Sequence, residues 1–159
     1  MGAQASSKSF FKPKHGQIDF SKSRWAPVVN CVVCFRKKIL IVQRSRALRY
    51  YPGLWNGISG FLDDRKSLEE KALEELSEEV GLEKNQIVSF RRGEIFDQDA
   101  PRYSKTWIVH PVLVKVKTDE VRLDPEAQRY RWVSLTEARR LELVPGFDKV
   151  LKNLSHWIL

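Results

Sequence analysis

The stretch from Gly60 to Leu82, GFLDDRKSLEEKALEELSEEVGL, constrains this chain more than any other, because glycine punctuation, helical periodicity and a cluster of carboxylates coincide there. Leu68, Ala72, Leu76 and Val80 recur every four residues, which predicts a helix with one apolar stripe beginning near Ser67. Ser67 followed by Glu70 fits a capping box, and Gly81 fits a left-handed stop. Glu75, Glu78 and Glu79 then stand at i, i+3 and i+4, on one side of that helix and within reach of a shared ion. Hard oxygen donors of this kind suit Mg²⁺ or Mn²⁺. Read on charge alone, the same three residues also describe a solvated acidic face. Glu79, however, falls at the margin of the apolar stripe, where a carboxylate is partly buried and needs a partner.

These residues resemble the Nudix box. Its pattern is a glycine, five residues, a glutamate, seven residues, Arg-Glu, an aliphatic residue, any residue, Glu-Glu, any residue, then glycine and an aliphatic residue. Gly60 matches the first glycine, Glu75 the first helix glutamate, Glu78 and Glu79 the metal pair, and Gly81-Leu82 the close, without a gap. Two positions depart: Lys66 stands for the loop glutamate and Glu74 for the arginine. In the family those two residues pair and help to position the catalytic helix. With both signs reversed here, the expectation is a compensated ion pair between Lys66 and Glu74. The resemblance implies an α+β fold, a Nudix-type α/β/α sandwich with a mixed central sheet. It also implies a metal-dependent hydrolase that cleaves a phosphoanhydride of a nucleoside diphosphate linked to another group. Its Mg²⁺ or Mn²⁺ would be held by Glu75, Glu78 and Glu79, with help from the Gly60 carbonyl, and Glu75 or Glu79 would serve as catalytic base.

Upstream of the box, PVVNCVVCF at 27–35 and Lys38–Gln43 read as central strands around the basic turn Arg36-Lys37-Lys38. Cys31 and Cys34 are expected to be free buried thiols, since no further cysteine or histidine cluster completes a zinc site and residues three apart on a strand face opposite ways. The following RSRALRYYPGLWNGISG should border the substrate: Arg44 and Arg49 suit phosphate, and Tyr51 and Trp55 offer rings that stack on a base or close the core. PGLW before the box is similar to the segment many Nudix enzymes carry there. Arg44, Ser45, Leu48, Arg49 and Gly53 are similar to the motif of coenzyme A pyrophosphatases.

Downstream, 86–96 and 104–117 read as two antiparallel strands, joined by a loop at 97–103 that would overhang the site with Asp97 and Asp99. That stretch shows no clear match to the proline or tyrosine positions that mark ADP-ribose or dinucleoside-polyphosphate enzymes. In EAQRYRWVSL, Glu126 stands six residues before Trp132, the place of a further metal ligand in one branch of the family, or of a surface carboxylate. Residues 147–159 read as a terminal amphipathic helix. His15, His110 and His156 have no partners at a triad spacing.

Residues 1–24 form a separate compositional unit, a flexible basic arm ahead of the 25–159 domain. Its opening MGAQAS fits the N-myristoylation pattern at Gly2, and with Lys8, Lys12 and Lys14 an acyl chain would support peripheral membrane contact. No apolar run reaches the ~20 residues that span a bilayer, so a cytoplasmic protein is expected. The formal net charge of +8 favours anionic partners: nucleotides, RNA or an acidic membrane surface. Two other functions stay open on the sequence: an inactive binding or regulatory module on the Nudix scaffold, prompted by Lys66 and Glu74, and an RNA-directed pyrophosphohydrolase or RNA-binding protein, prompted by the net charge and the arginine-aromatic loop.

Overall fold

The structure is a computed structural model and describes residues 14–159. The myristoylation pattern at Gly2 therefore lies outside the described residues. Strand β1 (Trp25–Phe35) is the axis of an eight-stranded mixed sheet. Its β-branched run suits a strand buried on both faces. A two-residue turn, Arg36 and Lys37, leads to β2 (Lys38–Arg44). Both turn residues have positive φ (51° and 67°), the geometry that matches strand twist in a tight hairpin. Along the same edge of β1 runs β4 (Ile58–Phe61), antiparallel, with Val29 opposite Gly60 and Asn30 opposite Ser59. The short β3 (Trp55–Asn56) pairs with β2, whose outer edge carries β8 (Ala127–Val133).

On its other edge β1 pairs in parallel with β7 (Lys105–Val116), from Trp25 opposite Thr106 to Cys34 opposite Lys115. The outer edge of β7 is shared by β5 (Ile87–Arg92) and β6 (Phe96–Ala100). This corrects two expectations. The single strand over 86–96 is broken at Gly93, whose N–H bonds Pro111 O, beside the one residue of β7 that has no N–H to donate. Residues 97–100, expected as an overhanging loop, are ladder-paired with β7, and Asp99 accepts the Thr106 hydroxyl at 2.9 Å.

Helix α1 (Leu68–Val80) covers one face of the sheet, burying Ala72, Leu76 and Val80 against Val29, Cys31, Val33, Leu40, Val112 and Val114. Its N-terminus carries the Ser67–Glu70 capping box, and Gly81 ends it at φ 73°. The opposite face is covered by α2 (Leu135–Ala138) and α3 (Phe147–Ile158), whose Phe147, Val150, Leu151 and Leu154 meet Val32, Ile39, Ile41 and Leu113. Alternation along β1 sends Cys31 to the first core and Cys34 to the second, and both are free thiols. Among the described residues no helix is long and apolar enough to cross a membrane.

The described part of the expected flexible arm, residues 14–24, is tied to the domain. Lys105, buried in β7, donates its ammonium to the carbonyls of Phe20, Ser21 and Ser23, and Ile18 N–H bonds Asp63 O. Carbonyl oxygens satisfy a cation that the core would otherwise exclude.

Candidate active site

One cavity of about 800 Å³ opens where β4, α1 and the loops after β2 and before β8 meet. Of the residues singled out from the sequence, Gly60, Lys66, Glu74, Glu75, Glu78, Glu79, Glu126, Arg44, Arg49 and Tyr51 all line it. Trp55 does not. It packs in the α3-side core under the guanidinium of Arg129, 5.7 Å from the ring, so its expected role against substrate is corrected to a core one.

The helix places the three glutamates at different depths. Glu78 is exposed, while Glu75 and Glu79 lie deeper. Burial, reinforced by the negative charge of Glu78, pushes the Glu75 carboxyl up to about 8. Burial also pushes Glu79 well above its ordinary range, with Glu75, Glu126 and Asp124 adding repulsion and Arg44 opposing it. Glu126 is raised first by burial and then by Asp124. Gly60 is required by this arrangement: an added Cβ would overlap the Glu75 carboxyl. Partly buried carboxylates that repel one another and face a cavity are what a divalent cation relieves, so the residues fit one in donor type and charge. As the side chains stand, no group of three or more acidic, histidine or cysteine residues among the described residues is placed to hold a metal ion.

Beside the glutamates lies an ion-pair network. Lys66 Nζ stands 3.1 Å from Glu74 Oε2 and 3.2 Å from Asp64 Oδ2. Its centre, however, is Lys71, a buried ammonium 2.9 Å from Glu74, 3.0 Å from Asp64 and 3.1 Å from Asp63. Burial alone would depress Lys71, but hydrogen bonds to Glu74, Asp64 and Asp63 outweigh it and raise it above the ordinary value. Burial likewise pushes Asp64 up, yet hydrogen bonds from Lys71 and Lys66 hold it at about 2. The network joins the loop after β4 to the first turns of α1. Sequence reasoning missed Lys71, although its spacing from Glu74 (i, i+3) and Glu75 (i, i+4) was a visible signal.

Arg44, at the end of β2, donates Nε–H to Tyr50 O at 2.8 Å; among the described residues its two terminal nitrogens have no hydrogen-bond partner, and Glu79 and Glu126 are near enough to act on its charge. Burial lowers its pKa, and Glu79 and Glu126 counter that shift. Tyr51 has positive φ (51°), a strained conformation for a bulky residue, held by Tyr103 OH accepting its N–H at 2.9 Å and by Trp107 Nε1–H donating to its hydroxyl at 2.8 Å. Tyr50 packs edge to face on Tyr103 and Trp107, Tyr51 does so on Tyr103, and Arg49 lies 5.0 Å above the Tyr50 ring. Asn30, alone among the apolar residues of β1, bonds Asn56 at 3.0 Å on the cavity floor. That lone amide in PVVNCVVCF was a second legible signal.

The NUDIX domain family, compared along the whole sequence, matches residues 24–154. The chain belongs to the Nudix family. It is a Nudix hydrolase, an enzyme of phosphoanhydrides. It is 34% identical over 129 residues to the asymmetrical bis(5'-nucleosyl)-tetraphosphatase of Rattus norvegicus, covering 79% of this chain and 81% of that one. The Mus musculus protein of the same name is 34% identical over 107 residues, 65% of this chain and 69% of its own. Among solved structures, a C. elegans Ap4A hydrolase binary complex superposes with TM-score 0.68 at 22% identity, covering 84% of this chain and 97% of its own. The NUDIX domain of Shewanella oneidensis NrtR with ADP ribose gives 0.72 at 15% identity and 98% of both chains. At those identities the superpositions establish the Nudix fold alone.

Proposed function

We propose that this Nudix hydrolase cleaves a phosphoanhydride bond of a dinucleoside polyphosphate in a reaction that depends on a divalent cation. The observation that carries the reading is its 34% identity, over 79% of the chain, to a bis(5'-nucleosyl)-tetraphosphatase. A cavity of about 800 Å³ that joins a carboxylate wall to arginines and aromatic rings suits so extended and anionic a ligand. Glu75, Glu78 and Glu79, with Glu126 across the cavity, would hold Mg²⁺ or Mn²⁺. When bound there, such a cation neutralises the phosphate chain and acidifies water.

The chain's own residues supply the rest. The two terminal nitrogens of Arg44 that remain free grip phosphate oxygens, and Arg49 adds a second guanidinium at the loop. Glu75 or Glu79 takes the proton as water attacks phosphorus in line with the departing phosphate oxygen. Lys71 keeps the first turns of α1 fixed against the loop after β4 while charge shifts nearby. The test is product release from diadenosine tetraphosphate, ADP-ribose, coenzyme A and capped RNA with Mg²⁺ and with Mn²⁺, for wild type and Glu78→Gln. Preferential, cation-dependent cleavage of the dinucleotide that disappears in the variant is expected. Cleavage of capped RNA in its place would move the substrate to RNA, and silence of the folded wild type would leave a binding module.

A further inference from the structure

Residues 14–23 precede the segment that matches the NUDIX domain, which begins at residue 24, yet they build one wall of the active-site cavity. The wall starts with a turn closed by Gln17 N–H to Lys14 O at 2.9 Å, with Gly16 at φ 79°. It is fastened at three points. The buried Lys105 binds carbonyls of the segment, Ile18 N–H bonds Asp63 O, and Gln17 Nε2 donates to Asp63 Oδ2 at 2.8 Å. Asp63 is itself held by Lys71, so the wall is linked through side chains to the helix that carries Glu75. Its cavity side mixes two chemistries. Phe20 stacks on Phe61 at 6.2 Å and Ile18 is left 55% exposed, while Lys14 and His15 stand at the mouth. Among the described residues, Ile18 is thus an aliphatic side chain left open beside the cavity on an otherwise anchored segment.

We propose that residues 14–21 are a substrate-binding wall added to the Nudix domain, which contacts one nucleoside of a dinucleoside polyphosphate through Ile18 and Phe20 and the adjoining phosphates through Lys14 and His15. The proposal rests on the function proposed above and extends it to how the second end of the substrate is held. It makes the wall a determinant of KM, since contacts made equally in the ground and transition states raise KM when lost and leave kcat unchanged.

The test uses Ile18→Glu, a surface change that leaves packing intact, and Lys105→Met, which releases the wall from behind without touching the cavity. Both should raise KM for diadenosine tetraphosphate about tenfold with kcat within about threefold. Hydrogen exchange should show residues 14–23 loosened in Lys105→Met only. A KM within about twofold of wild type in Ile18→Glu, or in a Lys105→Met protein whose wall has demonstrably loosened, overturns the proposal. If wild type cleaves no dinucleotide, the functional reading fails separately, and the wall is read by calorimetry with a methylene-bridged, non-hydrolysable dinucleoside tetraphosphate. Weaker binding by Ile18→Glu than by wild type supports the wall. Equal binding, or none by wild type, overturns it.

Discussion

Glu75 and Lys71 stand one helical turn apart and burial disfavours the charged form of each, yet Lys71 has hydrogen-bonded carboxylate partners, whereas at Glu75 burial and the repulsion of Glu78 outweigh the one opposing charge, Lys71. In the fold Glu75 keeps its proton to about pH 8, whereas an unfolded chain loses it near the ordinary 4.5. Between those values the folded state holds the extra proton, so this group makes stability fall as pH rises through the window. Without divalent cations the melting temperature should therefore decline from pH 5 to pH 8. Glu75→Gln should flatten that decline, gaining about 1–2 kcal/mol at pH 8 while abolishing turnover, and Mg²⁺ should restore wild type more at pH 8 than at pH 5. Denaturant melts at both pH values, with and without EDTA, decide this. In the neighbouring network the two lysines should separate. Lys71→Met takes the buried cation from three carboxylates, leaving Asp63 without one among the described residues and Asp64 and Glu74 with the exposed Lys66 alone, and is expected to cost about 3 kcal/mol. Lys66→Ala removes an exposed partner from a network that Lys71 still holds, and should change stability little. Equal losses in the two variants would show that the centre of the network is not Lys71. The three glutamates were legible in the sequence because their spacing is local. Lys71 was missed because its burial depends on Asp63 and Asp64 folding back over it, which helical periodicity does not register.

Among the elements, α1 is the one most fully written in the sequence: its stripe, its capping box and its glycine stop lie where the spacing put them. Removing the cap with Ser67→Ala should cost about 1 kcal/mol, measurable by urea unfolding. Strand β4 matters to α1 chiefly through one absence. Gly60→Ala would push a methyl group into the Glu75 carboxyl, so kcat should drop at least about tenfold, with near-native far-UV dichroism and a small stability change. An active Gly60→Ala enzyme would mean that Glu75 has another place to stand. The β5–β6 break shows where element reading failed. Alternation over 86–96 looks continuous, and the interruption comes from Pro111 on the partner strand, outside any local window. Trp55 failed for a related reason: an aromatic in a loop beside the site faces either the ligand or the core, and only the pairing of β3 with β2 turns it inward.

At the scale of the whole molecule, the fold class was legible from the box, whereas the assembly of the site from both ends of the chain was not. Residues 14–21, Arg44, the α1 glutamates and Glu126 meet at one cavity because the sheet brings together segments that no local pattern relates. The parallel pairing of β1 with β7, Trp25 opposite Thr106, closes one of the long separations. It also dictates when the molecule can come into being. Until β7 has been synthesised, β1 has an open edge of unpaired N–H and C=O groups between largely apolar faces, and the two cores that share it have no common wall. A fragment of residues 14–104 should therefore show no cooperative thermal transition, and the full chain should refold in one slow step typical of high contact order. For a ribosome-bound chain the consequence is temporal: α1 is made before β7 and stays without its full scaffold until β7 emerges, and the β1 edge is what a chaperone would have to shield in the interval.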